Sequence, residues 1–163
     1  MKREADLANT ISGSVEETQA FGERLGRLLR AGDVVALRGE LGSGKTTFVQ
    51  GIAQGMGISP QLVKSPTFVI EREYAGPVPL IHIDGYRLES APSIAWLDLD
   101  LMFSPQKITV IEWAERFEGL LPEDAITLRL EHVSVNRRRI TVSATGQRFR
   151  DVVAQLSNNA PRD

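Results

Sequence analysis

Residues 39–47 read Gly39-Glu40-Leu41-Gly42-Ser43-Gly44-Lys45-Thr46-Thr47. They fill every required position of the pattern G-x-x-x-x-G-K-[ST], whose residue types suit the binding of phosphate groups. Gly39 and Gly44 let the backbone curl so that successive N–H groups point inward at phosphate oxygens. Lys45 adds a mobile point charge for the outer phosphates, and the Thr46 hydroxyl is a ligand for the magnesium that accompanies them. An ordinary glycine-rich turn has no need of Lys-Thr directly after it.

Two carboxylates are placed to serve such a loop. Leu80-Ile81-His82-Ile83-Asp84 and Lys107-Ile108-Thr109-Val110-Ile111-Glu112 are apolar runs that each end in an acid. In a sheet whose strands end at a phosphate loop, one acid holds magnesium and the other orients the attacking water. The plainer reading is that either acid caps the helix after it. His82 reads as a packed, hydrogen-bonded strand residue, with a proton shuttle as the alternative. Trp113 reads as a packing anchor, with a stacking platform as the alternative. Arg137, Arg138 and Arg139 form a solvated loop, unless a guanidinium there stacks on a base or meets phosphate.

The elements that must position these residues follow from periodicity. Residues 1–13 are polar, with an edge strand near Leu7–Ile11. Ser14 and Glu17 form a capping box, and Phe21, Leu25, Leu28 and Leu29 share a helical face that Gly32 is placed to end. The loop around residues 13–15 is a candidate to touch a bound base. Residues 33–39 are a short apolar run and predict a buried strand. Residues 47–56 predict a helix whose end Gly55 and Gly57 mark, so strand, loop and helix follow in the order the motif requires. Residues 63–74 and 78–84, joined by Ala75-Gly76-Pro77, predict antiparallel strands. Residues 91–103 predict one or two short helices, 107–112 a third apolar strand and 114–119 a short helix. Residues 126–131 and 140–144 alternate as two half-buried strands, a hairpin at one sheet edge. Phe149, Val152, Val153 and Leu156 mark a last amphipathic helix.

The expected fold is α/β, a P-loop NTPase-like three-layer sandwich. Its sheet is mixed and mostly parallel, with helices on both faces and the antiparallel hairpin at the edge. A chain of 163 residues predicts one domain over 1–157 and a frayed tail over 158–163. A net charge of −2 disfavours a protein whose main task is neutralising a nucleic-acid backbone. The absence of cysteine excludes disulfides, thiol catalysis and Cys-ligated zinc. No apolar run approaches the ~18 residues of a membrane span, so a cytoplasmic protein is expected. The asparagines are Asn9, Asn136, Asn158 and Asn159, so the guanine-reading N-K-x-D is missing and ATP is favoured over GTP.

Four motifs in order then carry a resemblance: residues 39–47, Lys64-Ser65-Pro66-Thr67-Phe68, residues 82–88 (His-Ile-Asp-Gly-Tyr-Arg-Leu) and Ile111-Glu112-Trp113. Over about residues 14–145 the chain resembles the TsaE (YjeE) family. That resemblance implies a small bacterial ATPase needed for threonylcarbamoyladenosine at position 37 of tRNAs that read codons beginning with A. It implies TsaB and TsaD as protein partners, tRNA met through their complex, and hydrolysis that resets the complex between turnovers. By position, residues 41–46 would bind phosphates, Thr46 and Glu112 magnesium, and Asp84 would be a second acid essential for hydrolysis. Thr67 would act like a switch residue near the γ-phosphate. The arginine loop would contact the nucleotide through Arg137, Arg138 or Arg139, with Arg138, the middle one, named as the contact. The alternative is a small-molecule P-loop kinase, which should carry an arginine-bearing lid and an acceptor pocket.

Overall fold

A computed structural model describes residues 5–65, 71–88 and 98–158. Strand β1 (Ala5–Ser12) leads into helix α1 (Val15–Leu28), then β2 (Val34–Arg38) and α2 (Lys45–Gly55). Strands β3 (Glu71–Tyr74) and β4 (Leu80–Asp84) precede a one-turn helix α3 (Leu99–Met102) and β5 (Ile108–Glu112). After a 3-10 turn at Ala114–Phe117 come β6 (Ala125–Ser134), β7 (Arg137–Thr145) and α4 (Gln147–Asn158). The strands form one seven-stranded sheet in the order β1-β7-β6-β2-β5-β4-β3. The central β6, β2, β5 and β4 run parallel, and antiparallel pairs flank them at both ends.

Both faces of the central strands are apolar, as a sheet covered on two sides requires. On one face Val35, Leu37, Ile126 and Leu128 pack with Phe21, Leu25, Phe48 and Ile52 of α1 and α2 and with Val152 of α4. On the other, Val34, Ala36, Ile83 and Ile111 meet Met102 of α3 and Phe117 of the 3-10 turn. The layers are the expected three, with the second face covered by short helical pieces. The β6–β7 hairpin does not itself form the border. β1 pairs along the outer side of β7, from Ala5 opposite Ala144 to Ser12 opposite Arg138.

Several boundaries move for local reasons. The Ser14 hydroxyl accepts the Glu17 N–H at 3.1 Å, but the Glu17 carboxylate returns to the Gly13 N–H rather than to Ser14. Helix α1 ends at Leu28, four residues before Gly32. Gly32, at φ 93°, instead turns the chain so that its N–H meets Lys107 O at 2.8 Å. Helix α2 begins at Lys45, directly out of the phosphate loop, and ends at Gly55 as expected, where a Cβ would also lie 2.2 Å from Glu23 O of α1. The reason for that glycine is the crossing of α1 and α2. A Cβ on Gly26 would lie 2.2 Å from Ile52 O, and one on Gly51 2.2 Å from Gln19 O, so the two backbones touch where side chains would separate them. The expected helix over 91–103 is described only from residue 98, and Thr67 and Trp96 lie outside the described residues.

Candidate nucleotide site

The loop between β2 and α2 turns at glycines with positive φ: 151° at Gly39, 76° at Gly42 and 102° at Gly44. Gly39 is held for a second reason. A Cβ there would meet Leu130 O at 2.5 Å, so β6 closes over the loop's entrance. Next to the loop lies a cavity of about 240 Å3, bounded by Leu41, Gly42, Gly44, Lys45, Thr46 and Thr47. Glu112, Trp113 and Arg138 close one side, and Ser14, Val15 and Thr18 at the start of α1 close the other. Of residues 13–15, Ser14 and Val15 therefore border the cavity.

Lys45 is 5% exposed, and its Nζ is bound by the loop itself. It donates to Gly39 O at 2.6 Å and Glu40 O at 2.8 Å, and lies 3.3 Å from Ser43 Oγ. The Trp113 ring centroid is 4.4 Å from the same nitrogen. Burial lowers the lysine's pKa from its ordinary 10.5, and the nearby charges of Glu112, Glu115, Asp84 and Glu40 oppose that shift.

The strand-end acids stand side by side, with Asp84 opposite Glu112 in the β4–β5 register. Glu112 is 2% exposed, and its Oε1 accepts the Thr46 hydroxyl at 2.8 Å. That oxygen also lies 3.1 Å from His82 Nε2. Asp84 does not border the cavity. Its Oδ2 accepts from Ser65 Oγ and its Oδ1 from the Tyr86 N–H, both at 2.9 Å. It thereby anchors Ser65, the first residue of the Ser-Pro-Thr-Phe motif.

Of the three hairpin arginines, Arg138 borders the cavity and approaches Gly42 O at 3.4 Å, while Arg139 lies on the opposite face beside Asn9 and Arg38. Strand alternation makes that choice. Two contacts were not read from the sequence. One is the fully buried His82 against Glu112; the only cue was two polar residues spaced into neighbouring apolar strands. The other is Trp113 lying over Lys45. Trp113 adopts φ 57°, which costs a residue with a Cβ about 1–2 kcal/mol, offset by ring contacts with Lys45 and with Tyr86 at 5.1 Å.

A glycine loop joining a central parallel strand to the next helix, opened by Lys and Thr and faced by an acid on the adjacent strand, defines a P-loop protein. Known proteins narrow that class. The sequence model of the family described as "Threonylcarbamoyl adenosine biosynthesis protein TsaE" matches residues 12–140. The Bacillus subtilis (strain 168) protein named tRNA threonylcarbamoyladenosine biosynthesis protein TsaE is 39% identical over 145 residues, covering 88% of this chain and 90% of the relative. Its namesake in Streptomyces coelicolor is 42% identical over 138 residues, 79% of this chain and 91% of the relative. The crystal structure of Bacillus subtilis YdiB superposes with a TM-score of 0.81 at 32% identity, over 99% of both chains. The chain belongs to the TsaE family, as its four motifs suggested.

Proposed function

We propose that this chain binds ATP with magnesium and hydrolyses it to ADP and phosphate. In this reading it is the ATPase of the machinery that installs threonylcarbamoyladenosine at position 37 of tRNAs reading codons that begin with A. It resets a complex of TsaB and TsaD homologues between turnovers, meets tRNA through that complex, and works in the cytoplasm. The names of its relatives support the pathway. The observation that carries the nucleotide chemistry is the contact between Thr46 and Glu112. A hydroxyl from the loop's helix and a strand-end carboxylate lie 2.8 Å apart at the border of the phosphate cradle.

Both donors are oxygens, which fits magnesium, an ion that takes oxygen ligands and is held by one or two protein groups plus substrate phosphates. When bound, it would neutralise charge on the phosphate oxygens. The rest falls to the chain. Backbone N–H groups of residues 41–46 would hold the phosphates, with the Ser43 N–H leaving Glu40 O to do so, and Lys45 would exchange Gly39 O and Glu40 O for phosphate oxygens. Thr46 turns its proton away from Glu112 to free a lone pair. Asp84, opposite Glu112 and held through its two oxygens by Ser65 and the Tyr86 amide, is the second acid needed for hydrolysis. Arg138 steadies the loop at Gly42 and reaches the nucleotide, and Thr67 senses the γ-phosphate.

Phosphate release, measured with and without TsaB and TsaD homologues from the same source, tests this reading. Stimulation by the partners supports it. Transfer of phosphate to a nucleoside or nucleotide without them would replace it with a kinase. Lys45→Ala and Thr46→Ala are expected to abolish hydrolysis, and Asp84→Ala and Glu112→Ala to slow it by about a hundredfold or more. Normal turnover in Thr46→Ala would sink the metal role.

A further inference from the structure

We propose that His82 is a positioning residue that holds the Glu112 carboxylate for the metal by donating its Nε2–H to Oε1. The inference rests on the magnesium-nucleotide reading above and adds the group that prepares the ligand. His82 is 0% exposed in the middle of β4, and its Nε2 lies 3.1 Å from Glu112 Oε1. Its Nδ1 is buried with no hydrogen-bond partner among the described residues. A proton on Nδ1 would be a buried N–H without an acceptor among the described residues, so the ring N–H that the structure places is on Nε2, which donates to the carboxylate. A proton shuttle would need a partner on each ring nitrogen, and Nδ1 has none among the described residues.

The same oxygen accepts the Thr46 hydroxyl at 2.8 Å. When Thr46 turns toward the metal that bond is lost, and the His82 bond remains to fix the carboxylate's rotation. Tyr74 keeps the imidazole in place, with its ring tilted against His82 at a centroid distance of 6.2 Å. Hydrogen bonds behind a ligating carboxylate set its orientation, and their removal weakens metal affinity about 10–100-fold.

The test compares His82→Gln, which keeps an N–H donor near the Nε2 position, with His82→Met and His82→Leu, which remove it. Both parent and variants carry Trp96→Phe, so that Trp113 fluorescence reports nucleotide binding. Magnesium is titrated at fixed ADP, metal-free ADP affinity is measured in chelator, and melting confirms the fold. The Met and Leu variants are expected to raise the half-saturating magnesium about 10–100-fold while metal-free ADP affinity stays unchanged. Gln is expected to restore most of the loss, and Met is expected to add nothing in a Glu112→Gln background. An unchanged magnesium requirement in a folded Met or Leu variant would overturn the inference alone. So would equal impairment by Gln, because the ring's bulk rather than its N–H would then matter. A parent protein whose nucleotide binding ignores magnesium would overturn both this inference and the reading beneath it.

Discussion

The ammonium of Lys45 offers three N–H donors, and its neighbours within 3.3 Å are Gly39 O, Glu40 O and Ser43 Oγ. A phosphate must displace the loop's own oxygens before it meets the charge. Burial has already weakened this lysine's hold on its proton. Ionised Lys45 therefore costs stability at neutral pH, a cost that fades as pH rises through the lowered pKa toward the ordinary 10.5. Bound phosphate favours the charged form and pushes the pKa back up. Nucleotide binding is accordingly expected to take up protons in the alkaline window just below 10.5. Calorimetry in buffers of different ionisation heat would register the uptake, and Lys45→Arg, which stays charged, should abolish it. The loop and its lysine were legible because they are contiguous in sequence. The lysine's resting partners were not, since backbone carbonyls carry no sequence signal.

At the scale of elements, the α1–α2 crossing decides where the loop's helix sits. Replacing an ordinary helical glycine by alanine stabilises a helix by roughly 1 kcal/mol. At Gly26 the added Cβ would lie 2.2 Å from Ile52 O, so the helices must separate. Overpacking of this kind costs about 1–3 kcal/mol and should outweigh the helical gain. Gly26→Ala is therefore expected to lower the denaturation midpoint. Because α2 opens with Lys45 and Thr46 while the start of α1 borders the same cavity, nucleotide affinity should fall with it. A variant at least as stable as the parent would show that the helices can move apart freely. Sequence alone assigned Gly55 to the end of a helix, where it stands, but not to the crossing, where a Cβ would lie 2.2 Å from Glu23 O. Helix-ending and helix-crossing glycines look alike until the partner helix is in place. Apolar periodicity, by contrast, located the strands of the central sheet well, since burial on both faces leaves continuous apolar runs.

Across the whole molecule, residues more than a hundred positions apart in the chain meet at the start of β2. Arg148 of α4 reaches Asp33 Oδ2 at 2.8 Å and Leu28 O at 2.9 Å, tying the C-terminal helix to the turn between α1 and β2. Arg148→Met is expected to cost about 1.5–3 kcal/mol, the worth of hydrogen bonds from a charged group, and to lower the melting temperature without changing magnesium-dependent nucleotide binding. The pairing of β1 with β7 is equally long-range. The polar first residues suggested an edge strand, but nothing local named its neighbour. The crossing of α1 and α2 has a last consequence, for inheritance rather than for mechanics. Gly22, Gly26, Gly51 and Gly55 each meet backbone within 2.5 Å of where a Cβ would stand. Every missense change in a glycine codon adds that atom. Lineages carrying this gene should therefore purge variants at these four positions about as strictly as at the phosphate loop, although none of the four touches a ligand in the proposed reaction.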